Sequence, residues 1–364
     1  MPPLRILYDG WPLCRDPNSP AALHLMTILA HLPNHIQAHL LCPEEPPAWV
    51  PEQVQTHLVP TPGNSRLQWE QRRLPQWQKN LAVDLLHLTT ETASLIDGKR
   101  TVISPTHPGE LPSPASDTHS RWLARLRGAL AAGGSARAQA VFWPDDLPPH
   151  PNNAAIALPP IVHPAFTADD WSGELQIPGV TLPDTYVLYH GPGDETTLRR
   201  ALEAWTWAAG PVGQDFPMVM LGLDAEAQRL AGGVAHTLNI QDTILPLPVI
   251  PPGWVAPLYR RAHVIFHPAH VSVWGGAIRQ ALACGKPVVA TETARASAIV
   301  GSAAILVEPG DTRRLGAGVI GVIVKEELSA RLREAAIERA KNWQDSGWGE
   351  KLAMAYAHLK QRTP

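Results

Sequence analysis

An α/β architecture of two doubly wound domains is predicted for this chain, and three observations predict it. Short apolar runs alternate with helix-period segments in two successive series, a proline-rich stretch separates the series, and 364 residues exceed what one ordinary core holds. Such alternation is the rhythm of parallel strands joined by helices, whose ligands bind beyond the carboxyl ends of the strands. A groove between two facing domains is the expected ligand site.

The first series opens with "LRILYDG", a buried strand closing on the Asp9-Gly10 turn. "AALHLMTILAHL" places Leu23, Met26, Ile28, Leu29 and Leu32 at the spacing of a helix packed on a sheet, and "IQAHLLCP" reads as the next strand. "DLLHLTT" and "KRTVISPTH" continue as strands, with "RWLARLRGALAA" as a helix. The prolines of "WPDDLPPHPNNAAIALPPIVHP" end the rhythm and mark a domain boundary zone.

The second series runs "YVLYHGPG", helix "ETTLRRALEAWTWAAG", strand "PMVMLG", helix "AEAQRLAGGVAHTL", strand "TILPLPV", helix "VAPLYRRA" and strand "HVIFHPA". A helix from Gly275 and the strands "PVVATE" and "AAILVEP" complete it. The expected division is 1–170, 171–345 and a last helix, 346–364, that packs back on the first domain.

Composition narrows the function classes. The hydrophobic fraction is 45%, and 38 prolines among 13 tryptophans indicate rigid loops rather than disorder. A net charge of -3 gives no reason to expect nucleic acid as a partner. Cys14, Cys42 and Cys284 are too scattered for a disulfide framework or a cysteine metal site, so a reducing cytoplasm is the expected compartment. No signal peptide and no run of roughly 20 apolar residues is read. The basic and aromatic mixture of "RLQWEQRRLPQWQK", with Arg66, Trp69, Arg72, Arg73, Trp77 and Lys79, is either a peripheral contact with the inner membrane face or a solvated helix face.

Chemistry concentrates in "HPAHVSVWGGAIRQALACGKPVVATE". Gly275 and Gly276 let a backbone approach a diphosphate, and the bare N–H groups of the following helix attract it by about 1 kcal/mol. The same glycines also serve tight strand-to-helix packing. No Asp or Glu lies between His267 and Val289, and no Lys stands beside the turn. His263 and His267 share a strand face but lie about 13 Å apart, so with His270 they make no metal site, and none is expected. Asp9 is either a turn residue or, with Gly10, part of an acceptor side.

A family likeness rests on "YVLYHGPGDETTLRRALEAW", "MVMLGLDAEAQRL", "NIQDTILPLPVIPPGWVAPLYRRAHVIFHPA" and "ACGKPVVATETA". In the N-terminal half it rests on "ILYDGWPLCRDPNS", "WEQRRLPQWQKNLAVDLLHL" and "IALPPIVHPAF". In block order and spacing the chain resembles glycosyltransferase family 4, the group 1 enzymes of GT-B fold. The resemblance implies transfer of a hexose from a nucleotide-diphosphate sugar, with retention at the anomeric carbon and without a metal or other cofactor.

It also implies which residues act and where the chain departs. The family's paired glutamates, eight apart, correspond to Ser272 and Gln280. Its diphosphate-binding Arg falls near Pro192, beside Gly191, and no Lys follows; a later glutamate corresponds to Ala298. Its strand-end histidine corresponds to His107, followed by Pro108 instead of an acidic residue. The resemblance thus assigns His107 and Ser272 to the donor sugar, and Trp274, Gly275, Gly276, Gln280, Gly191 and Arg279 to the nucleotide diphosphate. His107 is equally a plain strand-end histidine. Two functions remain open: a working transferase, or a non-catalytic relative that binds a nucleotide sugar or serves as partner of an active one.

Overall fold

The computed structural model describes residues 3–362 apart from 47–49, 62–64, 92, 96–99, 107–128, 130–132, 135, 151–153, 170–172, 174, 176, 178 and 345–346. Contacts divide the chain into two units: one takes Met1–Ile161 with Ser272–Trp274 and Ser346–Pro364, the other Val162–Val271 with Gly275–Asp345. The first break thus falls after Ile161, where 170 was expected, and three residues of the glycine-turn segment group with the first unit.

The first unit holds one parallel sheet of β1 (Leu4–Asp9), β2 (Ile36–Cys42), β3 (Gln55–Leu58), β4 (Leu85–Leu88), β5 (Thr101–Ile103), β6 (Ala140–Pro144) and β7 (Ala155–Leu158), in the order β3-β2-β1-β4-β5-β6-β7. Ile6 pairs with both Ala38 and Leu85, so the chain reverses its direction of growth between β1 and β4. β6 and β7 lie inside the stretch read as a boundary zone. They pair in register, Val141 with Ala155 and Trp143 with Ala157, and the prolines sit at or beyond the strand ends, where a missing N–H costs no ladder bond. β3 is polar in sequence because it is the outer edge strand. The expected helix at 121–132 lies almost wholly outside the described residues.

The second unit holds β8 (Val187–His190), β9 (Met218–Leu221), β10 (Ile244–Pro246), β11 (Val264–His267), β12 (Val288–Thr291) and β13 (Ala304–Val307), in the order β10-β9-β8-β11-β12-β13. Its strands are apolar on both faces. Val187, Tyr189, Val264 and Phe266 bury against the helices Glu195–Val212 and Thr312–Val324, while Leu188, Ile265 and Val288 bury against Val255–Arg261 and Gly276–Ala283. That alternation within each strand makes the sheet doubly wound. Among the described residues no helix is long and apolar enough to cross a membrane.

The last helix, Trp348–Gln361, is anchored inside the first unit by a buried polar chain. The Tyr8 and Tyr356 hydroxyls are hydrogen-bonded at 3.1 Å, and His87 meets Tyr356 through Nδ1 at 2.5 Å and Ser104 through Nε2 at 2.6 Å. Burial pushes the His87 imidazole down to about 3, and burial, then the neighbouring His87, pushes His24 well below the usual histidine range. Both rings are neutral in the fold, whereas the unfolded chain protonates them near pH 6.5. Their contribution to stability is therefore complete above about pH 6.5 and falls as pH drops; for His87 the loss runs toward pH 3 at about 1.4 kcal/mol per pH unit, and His24 adds to it in the same direction. Urea midpoints between pH 7 and 4 are expected to fall accordingly, and His87→Asn to flatten the slope by one ring's worth.

Candidate functional site

In sheets of this kind the ligand end is where strand order reverses. In the second unit that point lies at the carboxyl ends of β8 and β11. His267 Nδ1–H donates to the His190 carbonyl at 3.0 Å, and His190 Nδ1 meets the Tyr259 hydroxyl at 2.6 Å. Burial lowers the His267 pKa, so this histidine is a neutral strut rather than a cation. Beyond β8, the segment Gly191-Pro192-Gly193 wraps the Tyr189 side chain, whose hydroxyl donates to the Pro192 carbonyl at 2.8 Å. A Cβ at Gly191 would lie 2.7 Å from that hydroxyl, which explains the glycine.

Beyond β11 the chain turns through Gly275, at φ 82°, and Gly276, at φ 39°, into the helix Gly276–Ala283. Both angles are left-handed and favour glycine. Four other helices of this unit start on a side-chain cap, from Asp194, Asp224, Thr293 or Asp311, whereas Gly275 offers none. The first N–H groups of this helix are therefore left for another acceptor. Gln280, one turn along, is 5% exposed, and its Oε1 has no partner among the described residues.

Arg279 runs back under the turn. Its Cγ and Nε lie 2.4 Å from where a Gly275 Cβ would stand, and its guanidinium rests 4.6 Å over the Trp343 ring. At 1% exposure it is a core residue that props the turn from beneath, with its charge held close to the helix start. Sequence reasoning placed it beside the ligand because nothing local announces a tryptophan 64 positions away.

Trp274, the residue before Gly275, is 5% exposed and stacks on His24, ring centroids 4.5 Å apart and planes 15° apart. The Val273 N–H donates to the Thr106 carbonyl at 2.8 Å, which ties this strip and Ser272 to the end of β5. His107 and Pro108 lie outside the described residues. Ala298 places its carbonyl, not its side chain, against Arg339 at 2.5 Å.

The first unit has its own strand-end cluster, where β1 and β4 diverge. Asp9 is 1% exposed and both its carboxylate oxygens are hydrogen-bonded: Oδ1 accepts from the Trp11 N–H at 3.0 Å and Trp69 Nε1 at 2.8 Å, and Oδ2 from Arg66 Nη2 at 2.8 Å. Arg66 also donates to Glu70 at 2.5 Å and Thr90 at 3.1 Å, and lies 5.5 Å over the Trp11 ring. Asp9 is thus an anchor for the loop rather than a free acceptor-side group. Gly10 is required because a Cβ would stand 2.7 Å from the Leu41 carbonyl and 2.5 Å from Cys42 Sγ.

The helix that delivers Arg66, Trp69 and Glu70 carries a π turn at Trp69–Arg73, where the Leu74 N–H reaches Trp69. Pro75 cannot donate to the carbonyl of Gln71, and the ladder loosens before it. Trp69 is 0% exposed. Arg66 and Trp69 therefore point into the protein and are not surface anchors for a bilayer.

Comparison with known proteins bears on both units. Residues 195–339 match the family described as glycosyl transferases group 1. D-inositol 3-phosphate glycosyltransferase of Acidothermus cellulolyticus is 27% identical over 202 residues, which are 52% of this chain and 44% of that protein. This chain therefore matches less than half the length of that relative. Among solved structures, WaaG, a glycosyltransferase involved in lipopolysaccharide biosynthesis, aligns with a TM-score of 0.70 at 14% identity, over 97% of this chain and 99% of that one. Anabaena Alr3699/HepE, solved in complex with UDP and glucose, aligns with a TM-score of 0.70 at 15% identity, also over 97% and 99%. These likenesses establish the GT-B fold for the two parallel-sheet units.

Proposed function

We propose, from the premise that this chain carries a group 1 glycosyltransferase segment over residues 195–339 within a GT-B fold, that it transfers a hexose from a nucleotide-diphosphate sugar. The observation that carries the reading is the uncapped start of the helix Gly276–Ala283, set at the reversal point of the second sheet by two left-handed glycines. Peptide N–H groups there donate to the diphosphate, and the buried amide of Gln280 is the group for the ribose hydroxyls.

Arg279 adds positive charge from beneath the turn, where the family's cations would stand on the Pro192 side. A single fixed donor at a developing oxyanion is worth about 3 kcal/mol of barrier, so a site with peptide dipoles and one buried cation predicts slow turnover. Retention at the anomeric carbon and independence of metal follow the family. So does a cytoplasmic setting, where nucleotide sugars are made.

The test is a panel of UDP-, GDP- and ADP-sugars in thermal unfolding. A ligand held by the native state raises the midpoint, by about 2.7 kcal/mol of apparent stability at a hundredfold excess over Kd. One donor class is expected to raise it, and Gln280→Leu and Gly275→Ala to remove the rise. Absence of a shift across the panel would refute donor binding. Slow release of the free nucleotide from the stabilising donor marks a transferase, and stabilisation with no release marks a binder.

A further inference from the structure

Three segments of the second unit meet at one tryptophan. Trp343 ends the short 3₁₀ turn Lys341–Trp343 that follows the helix Glu326–Ala340, and it is 2% exposed. Two guanidinium groups lie over its ring, Arg279 at 4.6 Å from the centroid and Arg339 at 6.0 Å. Cations gather on a tryptophan face because the ring's quadrupole is negative there, and the attraction is strongest where water is excluded.

The two cations are held differently. Arg339 is fixed: its Nε donates to the Ile299 carbonyl at 2.9 Å and its Nη2 to the Ala298 carbonyl at 2.5 Å. These carbonyls lie at the end of the helix Ala294–Val300, where orphan acceptors and the negative end of the dipole favour a cation. Trp343 is fixed as well, since its carbonyl accepts the Val162 N–H at 3.2 Å and its ring belongs to the core that holds Ile278, Ile299 and Val300. Arg279 is the member that these anchors keep in place.

Arg279 reaches the ring by running under the turn. Helical side chains lean toward the N-terminus of their helix, so Arg279 passes beneath Gly275. A guanidinium at 1% exposure has given up its water, and the aromatic face is part of what replaces it. With the ring gone, the charge gains by swinging out to solvent, and its stem leaves the underside of the turn. Gly275 and Gly276 hold left-handed angles with no side-chain cap, so the direction of the first helix N–H groups depends on what supports this backbone from below.

We propose that Trp343 is the positioning residue of the glycine turn. It keeps the Arg279 stem under Gly275 and the Arg279 charge near the helix start, so that peptide N–H groups and one cation address the same anion. The role rests on the reading of that helix start as the diphosphate site. It supplies from beneath the positive charge that the other wall lacks, since Gly191–Thr197 contains no Lys or Arg.

The experiment compares the full chain with Trp343→Leu, Trp343→Phe and Arg279→Met. Amide exchange over 275–279 is followed by mass spectrometry without ligand, with β8 as the internal reference. Trp343→Leu is expected to speed exchange at the turn about tenfold and to leave β8 unchanged, whereas Trp343→Phe, which keeps an aromatic face, stays close to the parent.

Binding is then read by calorimetry with UDP, GDP and ADP, and with uridine, guanosine and adenosine as their diphosphate-free counterparts. Trp343→Leu is expected to weaken the preferred diphosphate about tenfold, Trp343→Phe to recover most of that, and neither to change affinity for the matching nucleoside. Arg279→Met keeps a stem under the turn without its charge. Its exchange therefore matches the parent while its diphosphate affinity falls as in Trp343→Leu.

Parent-like exchange at the turn in Trp343→Leu overturns the proposal, and so does a Trp343→Phe that loses as much as the leucine variant. Equal losses for nucleoside and diphosphate mark a general collapse of the site and overturn it too. Should Trp343→Leu not fold, the other two variants decide, and a parent-like diphosphate affinity in Arg279→Met overturns it. A parent chain that binds no diphosphate refutes the donor reading instead, and exchange at the turn, measured without ligand, still decides whether Trp343 holds it.

Discussion

Replacing Arg66 by Met is expected to cost about 3–5 kcal/mol of unfolding free energy, measured by urea denaturation at pH 7. The size follows from what the guanidinium holds. Asp9 and Glu70 are both buried, and Arg66 bonds one at 2.8 Å and the other at 2.5 Å. Burial alone disfavours the Arg66 cation, but the attraction of Asp9 and then Glu70 outweighs it and raises the Arg66 pKa. Methionine keeps much of the stem's volume and removes the charge, so the buried Asp9 and Glu70 carboxylates lose the cation that binds both. Adding Glu70→Gln to the variant is expected to recover part of the loss, because it removes the repulsion that Arg66 had masked. If Arg66→Met costs under 1 kcal/mol, the cluster is solvated and Asp9 is free to serve an acceptor.

Gly349→Ala is the second large effect. A Cβ at this position would stand 2.0 Å from the His31 carbonyl oxygen, and a backbone atom has no rotamer by which to yield. The last helix must then lift from the first unit, and it is held there by many bonds. Trp348 Nε1 donates to the Pro159 carbonyl at 2.7 Å, Gln139 to the Leu359 carbonyl at 2.7 Å, and Lys360 pairs with Asp84 at 2.9 Å. The Tyr356 hydroxyl closes the buried chain through His87 to Ser104. A loss of about 3 kcal/mol is expected, the upper part of the range for overpacking, because relief requires moving a whole element. Hydrogen exchange should then show faster exchange along 348–361. Unchanged exchange there would mean that this helix contributes little to the first unit.

Much of the architecture was legible because it is written locally. A strand buried on both faces reads as a continuous apolar run, and β1, β2, β4, β8, β9, β11 and β12 all do so. The glycine turn at Gly275 was legible for the same reason, since left-handed backbone asks for glycine whatever surrounds it. β3, β6 and β7 were not read as strands. They are four or five residues long, one is polar at the sheet edge, and the others sit among prolines that look like a linker until the pairing partner is known.

What the sequence determined by itself was therefore the α/β class, the two series of strands and the glycine turn that opens the helix Gly276–Ala283. Each depends on spacing within about twenty residues or fewer, where chain geometry leaves few alternatives. Only the tertiary structure decided the roles of individual side chains. Arg279 lies beneath the turn because Trp343 accepts its guanidinium, Trp274 belongs with His24, and Asp9 is consumed by Arg66 and Trp69. A charged or aromatic group takes its function from the partner that desolvates it, and that partner is supplied by packing rather than by neighbours in the chain.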